Sequence, residues 1–119
     1  MPLVHAWLRA FIATLIFELP VVVLLTRGIA MSTGRRVAIA FFANLATHPI
    51  VWFVIPAFGL SGMTGLVLSE TWAVAIEWGV YFVAFPGMKP GRALGVSAFA
   101  NGVSFAVGLF LYQSTGWLS

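Results

Sequence analysis

Asn44-Leu45-Ala46-Thr47-His48-Pro49 puts an amide, a hydroxyl, an imidazole and a helix-breaking proline in the middle of an apolar segment running from about residue 36 to residue 60. A run of that length reads as a bilayer span, which takes roughly 20 residues per crossing. Asn44 and His48 are four residues apart and so project from one helix face. Pro49 has no N–H and releases the carbonyl of Leu45 one turn earlier. The stretch therefore predicts a patch of donors and acceptors at membrane depth, and ionisable or polar groups placed there are by default a functional-site hypothesis.

The rest of the chain agrees with a membrane protein. Its 119 residues are enough for one domain, and 61% hydrophobic against 8% charged residues is the wrong balance for a soluble domain of that size. The absence of cysteine removes disulfides, thiolate metal sites and redox dithiols. A net charge of +3 could suggest nucleic acid, but the basic residues sit in short loops between apolar runs, which is a topology signal, and no nucleic-acid partner is expected.

Four apolar runs predict an all-α, integral membrane four-helix bundle, a single transmembrane domain over 1–119 with helices at about 3–26, 36–60, 63–85 and 92–112. The first run is long for a signal peptide, contains Glu18 and Pro20, and lacks a basic leader, so it is kept as a helix. Pro86-Gly87-Met88-Lys89-Pro90-Gly91 is loop chemistry. Arg27, Arg35 and Arg36 lie between the first two helices, and Lys89 and Arg92 between the last two. The positive-inside rule then places both basic loops in the cytoplasm and both termini on the outer side, with Trp7, Tyr112 and Trp117 at the outer interface. Arg9, half a turn out of phase with Glu18, is expected to point outward and snorkel, or else to pair with Glu70.

At about 1.5 Å of rise per residue, His48 falls at the midplane, and Glu18, Asn44, Glu77 and Asn101 fall within roughly 3 to 6 Å of it on the cytoplasmic side. Thr14 and Glu18 form one stripe, Glu70, Glu77 and Tyr81 a second, and Ser97, Asn101, Ser104 and Gly108 a third. Four inward-facing polar stripes make a bundle with a polar centre. Ala98, Gly102 and Ala106 are expected to let the fourth helix approach a neighbour closely.

Glu18 and Glu77 are the sharpest signal. Two carboxylates in one membrane layer, with no nearby Lys or Arg, cannot both be ionised and unpaired, because each buried charge costs several kcal/mol even after relaxation. Either they bind protons or a cation lies between them. With His48 they form a candidate metal site of oxygen and nitrogen ligands, suited to Zn, Mn or Fe, supported by Asn44, Thr47, Asn101 and Glu70. The plainer alternative is a pair of neutral acids donating to carbonyls freed by Pro20, Pro49 or Pro56. His48 alone would equally suit an interhelical hydrogen bond or axial ligation of a haem or chlorin. Glu70 is expected to cap or pair near the outer end, and Trp52, Trp72 and Trp78 to pack or to wall a pocket.

The Asn44–Pro49 run, the Glu70 and Glu77 helix, and Ala100-Asn101-Gly102-Val103-Ser104-Phe105 resemble small bacterial membrane proteins with four predicted helices, a likeness that covers most of the chain and implies no function. In size and in its helix-1 glutamate the chain is also similar to small multidrug transporters, from which it departs in His48, Glu77 and its one-sided charge bias. The first functional expectation is binding or conduction of a cation, a proton or a divalent metal, in a bacterial inner membrane. The second is an accessory subunit of a larger membrane complex, or a homo-oligomer in the lipid bilayer. An intramembrane enzyme or cofactor-binding protein comes third, since no nucleophile motif, phosphate loop or two-histidine spacing is present. A divalent metal is the one cofactor the residues suggest.

Overall fold

The computed structural model describes residues 2–60 and 62–115, with side chains through residue 110. Trp117 and the Tyr112 side chain lie outside that range. The described chain is all-helical: α1 (Pro2–Leu25), α2 (Thr33–Pro49), a π-helical turn (Ile50–Val54), a 3-10 turn (Pro56–Phe58), α3 (Gly62–Ala84) and α4 (Pro90–Thr115). Counting α2 with its two following turns, four helical segments are long and apolar enough to cross a membrane.

Local chemistry sets the boundaries. α2 begins at residue 33 and not at 36 because Ser32 caps it, accepting from the Arg35 N–H at 3.2 Å. α4 begins at Pro90, two residues before the expected start, since a proline at the first helical position loses no intrahelical bond. Two prolines seven residues apart produce the π turn. Pro49 cannot donate to Leu45, nor Pro56 to Trp52, so the backbone between them is free to widen. Ile55 N–H reaches back five residues to Ile50 O at 2.9 Å. Gly59 then turns the chain with φ +75°, and the turn packs so tightly on α3 that a Cβ at Gly65 would sit 2.8 Å from the Leu60 oxygen.

The helices form a ring in which α1 and α3 each pack on α2 and α4. Arg92, in the first turn of α4, donates to the carbonyls of Leu25 and Arg27 at 3.0 and 2.8 Å, capping the end of α1. Those contacts run α1 and α4 antiparallel and put the start of α1 and the end of α4 at one end of the bundle. Arg36 gathers the loop between α1 and α2, donating to the oxygens of Thr26, Ile29 and Met31.

Packing differs between the two ends. At the end bearing the basic loops, Tyr81 and Phe85 fill the interior against Val22, Ala40, Ala93 and Ala100, all essentially without exposure. Small residues on α2 and α4 make room for the two large rings of α3. The outer surface is largely apolar, with Val83 82% and Phe58 78% exposed. Ala98, Gly102 and Ala106 are on that outer surface and do not mediate the internal contact expected of them. The Ser97–Asn101–Ser104 stripe occupies the inward face of α4, and Ala93 and Ala100 provide the close approach.

Candidate functional site

Above the packed half, all four helices draw apart around a cavity of about 350 Å³. It is lined from the middle of α1, the end of α2 with its π turn, residues 66–77 of α3 and the second half of α4, so it lies toward the end that carries the termini. Val51 and Trp52 reach its wall from the π turn, tying the irregular backbone to the cavity.

Glu18 and Glu77 stand where the cavity meets the packed core. They are 1% and 0% exposed, and adjacent turns of α4 hold them, Ser104 bonding Glu18 and Asn101 bonding Glu77. Glu77 is held on both oxygens: Oε2 accepts from Thr47 Oγ1 at 3.0 Å, and Oε1 accepts from Asn101 Nδ2 at 3.2 Å and the Tyr81 hydroxyl at 3.5 Å. Glu18 is held on one. Its Oε2 accepts from Ser104 Oγ at 2.6 Å, whereas its buried Oε1 has no hydrogen-bond partner among the described residues.

The amides are oriented by their own helices. Asn44 Nδ2 donates to Ala40 O and Asn101 Nδ2 to Ser97 O, each at 2.8 Å, one turn back. Reversing either amide would set oxygen against a carbonyl oxygen, so the assignment follows from the network. Ser97 in turn donates to Val74 O at 2.8 Å, joining α4 to α3 beside the pair.

His48 lines the same cavity nearer the termini. Its Nε2 is hydrogen-bonded to Thr14 Oγ1 at 3.3 Å, its ring is stacked with Trp52, and its buried Nδ1 has no partner among the described residues. Glu70 is half-buried in the cavity wall, not an end cap, and Arg9 is exposed, as expected of a residue out of phase with Glu18.

The three residues of the expected metal site thus share a cavity, but among the described residues no three His, Asp or Glu side chains converge to hold a metal ion. The reason is local: Glu77 is turned toward Thr47, Asn101 and Tyr81, and His48 toward Thr14. What is brought together is the carboxyl pair with Asn44, Thr47 and Asn101. Ser104 and Tyr81 belong with them, visible in the sequence as members of stripes but not as direct partners of the acids. Trp52 lines the cavity; Trp78 donates to Pro90 O at 2.9 Å across the α3–α4 junction, and the Trp72 indole N–H has no partner among the described residues.

The fold and site define a class: a small four-helix protein with apolar faces and an acidic, cavity-linked interior. No family model, curated protein or solved structure matches this chain.

Proposed function

We propose that the protein is an integral membrane protein of the bacterial inner membrane, with both termini on the outer side, that binds a cation at the Glu18–Glu77 pair and conducts it across the bilayer. The observation carrying this reading is the pair itself: two buried carboxyls at the blind end of a cavity built by every helix, with no Lys or Arg in its wall. In so dry a place two unneutralised carboxylates are untenable, so the pair holds a proton or another cation in every resting state. Glu77, with three donors, is the fixed member, and Glu18, with an open oxygen, is the exchanging one. The other titratable groups facing Glu18 are Glu70 from α3 and His48 from α2; α4 contributes only neutral polar groups to the cavity.

The test is flux in reconstituted vesicles carrying an internal pH-sensitive dye. Wild type is expected to collapse an imposed proton gradient and Glu18→Gln to leave it standing. Equal rates for wild type, variant and empty vesicles would remove the conduction reading. For orientation, a cysteine at Ser32 should be labelled only from the cytoplasmic side, and labelling from outside intact cells would reverse the topology.

The outward face formed by Ala98, Gly102 and Ala106 favours a second reading, in which α4 packs against another helix in an oligomer or a larger membrane complex. Purification in mild detergent discriminates it: a stable stoichiometric partner supports the subunit role, and a monodisperse single chain opposes it.

A further inference from the structure

The oxygens left open around Glu18 differ from those a divalent or borderline metal requires. Glu77 already accepts from Thr47, Asn101 and Tyr81, so three of its roughly four acceptor positions are taken. Among the described residues one carboxylate oxygen, Glu18 Oε1, is both buried and unpartnered. In the same cavity wall, Asn44 Nδ2 donates to Ala40 O and Asn101 Nδ2 to Ser97 O and Glu77 Oε1, and neither Oδ1 accepts a hydrogen bond among the described residues. Thr47 Oγ1 and Ser104 Oγ give up their single protons within the same network and keep lone pairs to offer.

That is a set of hard oxygen donors carrying one available negative charge. Hard oxygen ligands select alkali and alkaline-earth ions over zinc or copper. Divalent ions are held by sites with several carboxylates or by phosphate, and Mg²⁺ in addition dehydrates reluctantly. One carboxylate oxygen among neutral amide and hydroxyl oxygens matches a monovalent ion, and unlike an ammonium group such an ion needs acceptors from several directions at once. Charge closes with one monovalent ion on Glu18 and one proton on Glu77, whose hydroxyl can donate to Thr47 Oγ1 when Thr47 turns its own proton to Ala43 O.

We infer that the Glu18 pocket is a sodium site, in which a dehydrated Na⁺ is held by Glu18 Oε1 together with the oxygens of Asn44, Asn101, Thr47 and Ser104, and exchanges with a proton. This rests on the cation-binding reading above and narrows its ligand. The cavity supplies the route of entry from the end that carries the termini, and its polar wall of Thr14, Ser69 and Glu70 gives a hydrated ion partners on the way in.

The experiment is thermal unfolding of the purified protein at fixed pH and ionic strength, with NaCl replacing choline chloride, and with KCl, MgCl₂ and CaCl₂ as further arms. Na⁺ should give a saturable rise in melting temperature of roughly 5 °C, since a ligand that binds only the folded state stabilises it by mass action. The response should disappear in Glu18→Gln and fade as the pH is lowered in wild type. Asn44→Ala should lose the sodium response and keep the pH response. Should Asn44→Ala fail to fold, binding of radioactive sodium to wild type, displaced by acid, takes its place. A pH response with no sodium response overturns the sodium inference and leaves the proton reading standing. A larger response to Mg²⁺ or Ca²⁺ overturns it in favour of a divalent site. Loss of both responses overturns both readings.

Discussion

At the end of the bundle that carries the basic loops, two aromatic rings on α3 press into alanines on α2 and α4, and the interior is closed; at the end that carries the termini, the same four helices enclose about 350 Å³ of space. Apart from the π turn that follows α2, the helices keep one backbone form through both halves. What changes is the pairing of residue sizes: Tyr81 and Phe85 meet Ala40, Ala93 and Ala100 in one half, while Ala10, Ala13 and Ala73 face one another's side of the cavity with nothing large between them in the other. The two carboxyls sit on the border. A ligand that reaches them through the open half finds the other half shut, which is the geometry of a site accessible from one side at a time.

Deleting matched aromatics gives the largest contrast. Tyr81→Ala should cost about 3–5 kcal/mol, because the ring is wholly buried and its removal leaves a hole the neighbours cannot fill. Trp52→Ala, which only widens space already present, should cost under about 2 kcal/mol. Thermal unfolding in a common detergent compares them, and equal losses would mean that the two halves are packed alike. Adding bulk should reverse the experiment on a smaller scale. Ala40→Leu should destabilise by roughly 1–3 kcal/mol through overpacking, whereas Ala13→Leu should enter the cavity at a cost within about 0.5 kcal/mol while impairing ion entry. The smallest effect is expected at Arg92→Ala. Its bonds to Leu25 and Arg27 are exposed, so water replaces them and the loss should stay below about 1 kcal/mol, read from the same unfolding curves.

Much of this was legible in residue spacing. The four helices followed from hydropathy, and Glu18, Asn44, Glu77 and Asn101 are buried together as their stripes implied. His48 could not be placed from spacing alone. It shares a face with Asn44, but a face is about 100° wide, and which neighbour an imidazole meets depends on the rotation of a second helix, here set by Thr14. The π turn was hidden for a related reason: two prolines announce broken ladder bonds, yet whether the backbone kinks, ends or widens is decided by what packs around it. The small residues of α4 misled because Ala98, Gly102 and Ala106 and the pair Ala93 and Ala100 fit equally well as contact faces by composition. The polar stripe that needed burial decided between them.

The central claim is that the carboxyl pair binds an exchangeable cation at Glu18, with Glu77 as its fixed partner. Infrared difference spectroscopy of the reconstituted protein across a pH change observes it directly, since a protonated buried carboxyl has a C=O stretch separate from that of carboxylate and amide. The account predicts one such band in wild type that appears and disappears with pH, is suppressed by sodium, and is absent in Glu18→Gln. A carboxyl band that never changes with pH, or one that titrates unaltered in Glu18→Gln, would contradict it.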